Sequence, residues 1–334
     1  MFALQPPMPH NAAMASALVR TATVPVQALA WLGRQGTRAL AALVFIGIAV
    51  PPLGALLRPY VTAAVFCLLC VSFMRVDLAA LRLHVRRPAT VLVATAWSTL
   101  ALPLLVGLLC LAAGLDKHSP DLFLGIMLQA VASPMMAAPA LAALMGLDAT
   151  LVLVTLVTCT ALVPFTAPVF AYAFFGAELT LSPFALGVKL FAILAGSLLV
   201  AAFIRRVIGA AAIERHREPI DGINIILMLV FVTAVMGNVA GGFIADPLTV
   251  TAILLFAFAM FFALLGLTVL IFRKLGRQRA LALGLMVAQR NMGLMLAATA
   301  GTLPATTWLY FALSQFPIYV TPQLLRPIAR TSAA

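Results

Sequence analysis

Charge is what this sequence has least of. Of 334 residues, 21 are Lys or Arg and 9 are Asp or Glu, a charged share of 9% where soluble domains carry about 25%. So few charges cannot cover the surface of a soluble core of this length. A soluble enzyme, a nucleic-acid module and a disordered chain are therefore excluded. Acids are the scarcest charged residues, and there are four His. No cluster of His, acids or nucleophiles falls at a common depth, which leaves little for a membrane-embedded enzyme. A proton antiporter likewise lacks its titratable carboxylates. Cysteine is sparse too: Cys67, Cys70, Cys110 and Cys159 all lie in apolar runs. Cys67-x-x-Cys70 has redox spacing but no His, Asp or Lys beside it in its helix, so it reads as packing.

What the chain does have is apolar length. Hydrophobic residues make up 64% and the mean hydropathy is +1.14, the composition of an integral membrane protein. A spanning helix needs about 20 mostly apolar residues. Such runs, with their punctuation, predict ten spans: Leu40–Leu57, Tyr60–Leu81, Pro88–Leu115, Leu122–Gly146, Ala149–Phe175, Ser182–Ile208, Pro219–Val239, Pro247–Phe272, Ala280–Gly301 and Ala305–Pro327. With this count, 17 basic residues fall on one side. They are Arg20, Arg34 and Arg38; Arg75, Arg82, Arg86 and Arg87; Arg205, Arg206, Arg215 and Arg217; Arg273, Lys274, Arg277 and Arg279; and Arg326 and Arg330. Arg58 and Lys117 fall on the other side. Basic residues collect in cytoplasmic loops, so both termini are expected to be cytoplasmic, and the net charge of +12 reflects topology rather than nucleic acid. The expected organisation is an N-terminal cytoplasmic arm over 1–38, two five-helix repeats over 39–178 and 179–327, and a cytoplasmic tail over 328–334. The arm Met1–Gln35 mixes Arg with apolar stretches. Its segment Val24–Leu32 suits a helix lying at the membrane surface, and a transit peptide is the alternative, with a single serine, Ser16, against it.

Two spans are interrupted. The fourth carries Ser133-Pro134 and Pro139 near its middle, and two prolines five residues apart unwind a helix. The ninth carries Gln289, Arg290 and Asn291 together at mid-depth, with Gly293 following. Both are the fourth span of a set of five, and an odd-numbered set enters from opposite sides in its two copies, the signature of inverted repeats. Broken helices expose amides and carbonyls that are tolerated at membrane depth only inside protein or at a water-filled cavity. Pro139 suits the first position of the second half-helix, and Asn291 suits a cap. An arginine at a span centre costs about 2.5–3.5 kcal/mol on insertion scales and does not titrate usefully. No Asp or Glu lies at its depth, so Arg290 must face carbonyl ends, water or a bound anion. Lys189, about eight residues into the sixth span, reads as snorkelling to the interface.

With these residues in view, the chain resembles the bile acid:sodium symporter family over essentially Ala41 to Pro327. The segment Ala138–Pro168 (APALAALMGLDATLVLVTLVTCTALVPFTAP) looks like that family's crossover helix, turn and next span. Gln289–Ala297 (QRNMGLMLA) looks like its second break, and Arg86–Pro103 looks like its third span. The resemblance implies an all-α protein of ten transmembrane helices in two inverted repeats, with the discontinuous fourth and ninth crossing. It also implies organic anions as substrates and sodium as the co-ion. The sodium positions depart from the family pattern. Where the resemblance implies oxygen ligands, this chain has Ala138 and Pro139, Val152 and Leu156, Met286, and then Ser98 and Arg290; Asn291 alone agrees.

The function expected is therefore a secondary transporter of a small organic anion, not sodium-coupled in the family's manner and needing no cofactor or metal. Arg290 would stand in for the ion's charge. The substrate-binding residues expected are Ser133, Pro134, Ala138, Pro139, Gln289, Arg290 and Asn291. Ala132, Ala137 and Ala138 would suit a carboxylate with an apolar body, and the methionines around the breaks read as packing. Two alternatives keep the architecture. One is a receptor or sensor that has lost ion-driven cycling. The other is a metalloid exporter, against which stands the absence of cysteine from SPMMAAP.

Overall fold

The computed structural model describes residues 24–35, 45–75, 88–175, 182–299 and 301–330, without the side chains of 322–330. Apart from turns, short connections and one two-residue bridge, these residues are helical. Leaving aside two short helices, Leu115–His118 and Ala210–Arg215, the helices in chain order are α1 (24–35), α2 (45–49), α3 (Pro51–Leu57), α4 (Val61–Met74), α5 (Pro88–Ala112), α6 (Pro120–Val131), α7 (Ala138–Leu144) and α8 (Ala149–Phe175). They continue as α9 (Pro183–Ile208), α10 (Arg217–Met236), α11 (Val239–Ala245), α12 (Pro247–Phe272), α13 (Arg277–Ala288), α14 (Met292–Ala298) and α15 (Ala305–Arg330). Among the described residues, six stretches are long and apolar enough to cross a membrane: Pro51–Met74, Pro88–Ala112, Ala149–Phe175, Pro183–Ile208, Arg217–Ala245 and Pro247–Leu275.

The outside of the bundle carries many large apolar side chains. Phe165, Phe184, Phe203, Leu199 and Leu248 are each more than 60% exposed. Water would penalise such a surface, and a bilayer accepts it. Inside, one continuous apolar cluster joins the two halves of the chain, from Val61 through Ile318.

Contacts at the ends of the helices fall into two groups. Arg34 pairs with Glu218 at 2.7 Å, Arg75 with Asp221 at 2.6 Å and Arg279 with Asp148 at 3.3 Å. In the same group, an Arg205 Nη1–H donates to the Met74 carbonyl at 2.9 Å. The ion-paired side chains are between 31% and 54% exposed, so they orient more than they stabilise. The second group joins Arg58 to Trp308, the Thr307 hydroxyl to the Asp121 carbonyl and the Trp308 indole N–H to the Val235 carbonyl.

Helix ends match the apolar runs closely for Ala149–Phe175 and Pro247–Phe272, and both expected interruptions are present. The first two runs differ from expectation. No loop separates them, because Arg58–Tyr60 continues from α3 into α4 as a 3₁₀ turn. The first run is itself broken at Val50, just ahead of Pro51-Pro52, where the backbone leaves helical geometry (φ −125°, ψ 70°). Its part over 40–44 lies outside the described residues, as do 76–87 with Arg82, Arg86 and Arg87, and the arm residues 1–23 and 36–38.

The arm helix docks on α10 through two glycines. A Cβ on Gly222 would stand 2.1 Å from the Leu29 carbonyl oxygen, and one on Gly33 would stand 2.2 Å from that of Glu218. Backbones this close tolerate no side chain.

Candidate functional site

The two interruptions meet. α6 stops at Val131, and its C-cap Ala132 is extended (φ −59°, ψ 147°) ahead of Pro134. α13 stops at Ala288, and Gln289 leaves the helix (φ −89°, ψ 87°). The Met135 N–H donates to the Gln289 carbonyl at 2.7 Å, and the Asn291 N–H donates to the Ser133 carbonyl at 2.7 Å. Pro134 and Arg290 thus face each other as an antiparallel bridge. Each break satisfies backbone groups that the other leaves unpaired, which lipid would not do.

Beyond the crossing both chains re-enter helices as the sequence predicts. Pro139 lies in the first turn of α7. The Asn291 Oδ1 accepts the Leu294 N–H at 3.1 Å and caps α14.

Arg290 is 1% exposed and among the largest fully buried side chains. Its Nη1 donates to the Ala132 carbonyl at 2.8 Å and to the Ser98 hydroxyl at 3.1 Å, and both terminal nitrogens lie 3.3 Å from the Ser98 carbonyl. Both acceptors are carbonyls that their own helices cannot use. Ala132 ends α6, whose macrodipole places about half a negative charge there. Ser98 lies in a π turn, Trp97–Ala101, where the Leu102 N–H returns to the Trp97 carbonyl. In that register the next donor to Ser98 would come from residue 103, and Pro103 has no N–H. Thr95 and the fully buried Cys159 stand alongside.

The remaining expected residues cluster at the same crossing. Gln289 is fully buried, and its Nε2 reaches the Ile318 carbonyl at 3.5 Å. Ser133 and Ala138 are buried at 0% and 1% exposure. Three polar atoms here have no hydrogen-bond partner among the described residues: Ser133 Oγ, Gln289 Oε1 and Arg290 Nε. Buried polar atoms are normally paired, so each calls for water or a ligand. Lys189 is exposed and away from the site.

A cavity of about 120 Å³ adjoins the crossing. Arg290 to Gly293 and Met135 to Ala137 form one wall, and Val65, Leu69, Met228 and Phe231 form the other. Ser72, Asn224, Gln315 and Tyr319 supply further polar atoms. These four were missed in the sequence, although Asn224 and Gln315 are each a lone amide in an apolar run, a signal as plain as the one that marked Gln289. Ser98 was noticed only as a departure from the family pattern. Pro103 five residues later was the clue to its free carbonyl.

The positions at which the resemblance implies sodium ligands do not suit that ion. Ala138, Val152, Leu156 and Met286 are buried at 0–1% exposure and offer no side-chain oxygen, and a guanidinium holds the Ser98 and Ala132 carbonyls. A hard cation needs several oxygen ligands and no cation beside it. No family model matches the chain, and comparison with characterised proteins returns no match.

Proposed function

We propose that the protein is a secondary transporter of a small organic anion, built as ten spans in two inverted repeats like the bile acid:sodium symporters it resembles. It works by alternating access at the crossing and draws on Arg290 rather than sodium for positive charge. The observation that carries this reading is a buried guanidinium with its own Nε unpartnered and two more unpartnered polar atoms at the same crossing, where two interrupted helices bridge beside a cavity. Such crossings inside apolar bundles serve as substrate sites in secondary transporters.

The guanidinium acts in two ways. It holds the carbonyl ends of α6 and of the π turn, so the crossing stays assembled without a mobile cation. Its field favours an anion over a neutral solute in the cavity. The cavity's volume suits a molecule of few carbon atoms, and Met135 and Met136, at its border, are side chains that adapt to different shapes.

The pairing of helix ends supports the alternation of ten spans. Arg34, Arg75, Arg205 and Arg279, all expected on the cytoplasmic side, contact partners expected on that same side. Arg58, Trp308, Asp121 and Val235 do so on the other. With basic residues collecting on the cytoplasmic side, the reading is of a multi-pass protein of the cell membrane with both termini cytoplasmic.

The test is uptake into proteoliposomes of the carboxylate that most raises the thermal midpoint of the purified protein. Uptake persists when external sodium is replaced by potassium. Uptake that collapses would sink the role given to Arg290, and binding without flux would favour a receptor.

A further inference from the structure

We infer that a second anion site lies at the other end of the bundle, distinct from the crossing, and that it captures the carboxylate of an amphipathic organic acid on Arg58. The inference rests on the transporter reading only for its biological purpose; the site itself is argued from its own geometry.

A cavity of about 480 Å³ opens beside Arg58, Asn238, Thr306 and Trp308. This is within the range of about 300–1,000 Å³ typical of small-molecule sites. Arg58, Asn238 and Thr306 bring polar groups to a lining that is otherwise mostly apolar, Val239 and Leu309 among it. A cationic group in a mostly apolar cavity suits a carboxylic acid with a short hydrocarbon tail.

Arg58 is placed for such a ligand by its stacking. Its Cζ lies 4.3 Å from the centroid of the Trp308 ring. A guanidinium stacked on an indole spends its face on the ring and keeps its N–H edge for a planar, bidentate acceptor. The ring is held in turn, because its Nε1–H donates to the Val235 carbonyl at 3.2 Å and the side chain is only 6% exposed. Among the described residues, none of the ion pairs involves Arg58. It is therefore a charge held against the ring, without a carboxylate partner among the described residues, in the lining of the cavity. A carboxylate accepts charge-assisted bonds from that edge, whereas an amide of the same shape offers a neutral acceptor and an unwanted donor.

The three tryptophans, Trp31, Trp97 and Trp308, permit a direct test. In full-length protein carrying Trp31→Phe and Trp97→Phe, Trp308 alone reports on the site. Hexanoate is the probe and hexanamide its neutral counterpart. Hexanoate is expected to change Trp308 emission saturably and hexanamide is not. Arg58→Gln should weaken hexanoate binding by about tenfold or more, the loss of one charge-assisted contact, and Arg58→Lys should fall between. Calorimetric titration of hexanoate into protein with all three tryptophans, with and without Arg58→Gln, gives the same comparison should the double Phe variant fold poorly. The inference fails if hexanoate does not saturate, if hexanamide binds equally, or if Arg58→Gln binds hexanoate as tightly as the parent. Hexanoate binding that depends on Arg58, in protein that carries no carboxylate across a bilayer, would uphold this site and refute the transporter reading instead.

Discussion

At Arg290 two costs oppose each other. Burying a guanidinium is expensive, and leaving the carbonyls of Ala132 and Ser98 without donors is expensive as well. The chain sets one against the other. Arg290→Met isolates the effect, because it keeps much of the volume and removes every donor. Each abandoned acceptor costs about 1–3 kcal/mol, part of which is regained because no charge is buried. We expect a net loss of about 1–3 kcal/mol, read as a lower unfolding midpoint in detergent, with Arg290→Lys intermediate. A second residue prediction concerns pH. The Asp246 carboxylate caps α12 by accepting the Thr249 N–H at 3.1 Å, and hydrogen bonding from the Thr249 side chain and then its backbone holds its pKa below the usual carboxylate value. A depressed folded pKa means the cap's contribution is complete above the unfolded value and is lost as pH falls through the folded one. The acid limb of stability should therefore be shallower in Asp246→Asn than in the parent, as measured by unfolding midpoints over a pH series.

Among the elements, close backbone approach decides the packing where side chains are smallest. α1 reaches α10 only because residues 33 and 222 have no Cβ. Gly222→Leu should drive the arm helix off and release Arg34 from Glu218, so that trypsin cuts there several-fold faster while the rest of the bundle keeps its melting behaviour. This docking was not legible in the sequence, since a glycine in an apolar run carries no mark of its partner. The two interruptions were legible, because proline and adjacent polar residues disrupt a helix wherever they fall. Their meeting point could only be inferred from symmetry, as no local rule brings residue 134 to residue 290. The π turn escaped notice for a similar reason. Pro103 frees a carbonyl under any helical register, but which carbonyl depends on the register the helix adopts.

For the molecule as a whole, sidedness is the property most open to measurement. Arg206 and Lys117 lie on opposite sides in the proposed topology. With the four native cysteines replaced, Lys117→Cys should react with an impermeant maleimide on intact cells. Arg206→Cys should react only after the membrane is opened, and the reverse pattern would invert the molecule. Composition alone made the membrane legible at this scale, because 64% hydrophobic residues leave no other solvent. Substrate chemistry was not legible, because it depends on a cavity drawn from five separate stretches of chain.

The Arg290 contacts also bear on how the protein is made. The donor to the Ala132 carbonyl is encoded 158 residues later, which at about 5–20 residues per second is a delay of roughly 8–30 s on the ribosome. Until then the half-synthesised chain carries bare acceptors at a depth where lipid offers no hydrogen. The nascent first half therefore needs the translocon, a chaperone or trapped water to shield it, and a message truncated ahead of codon 290 should yield a product destined for proteolysis.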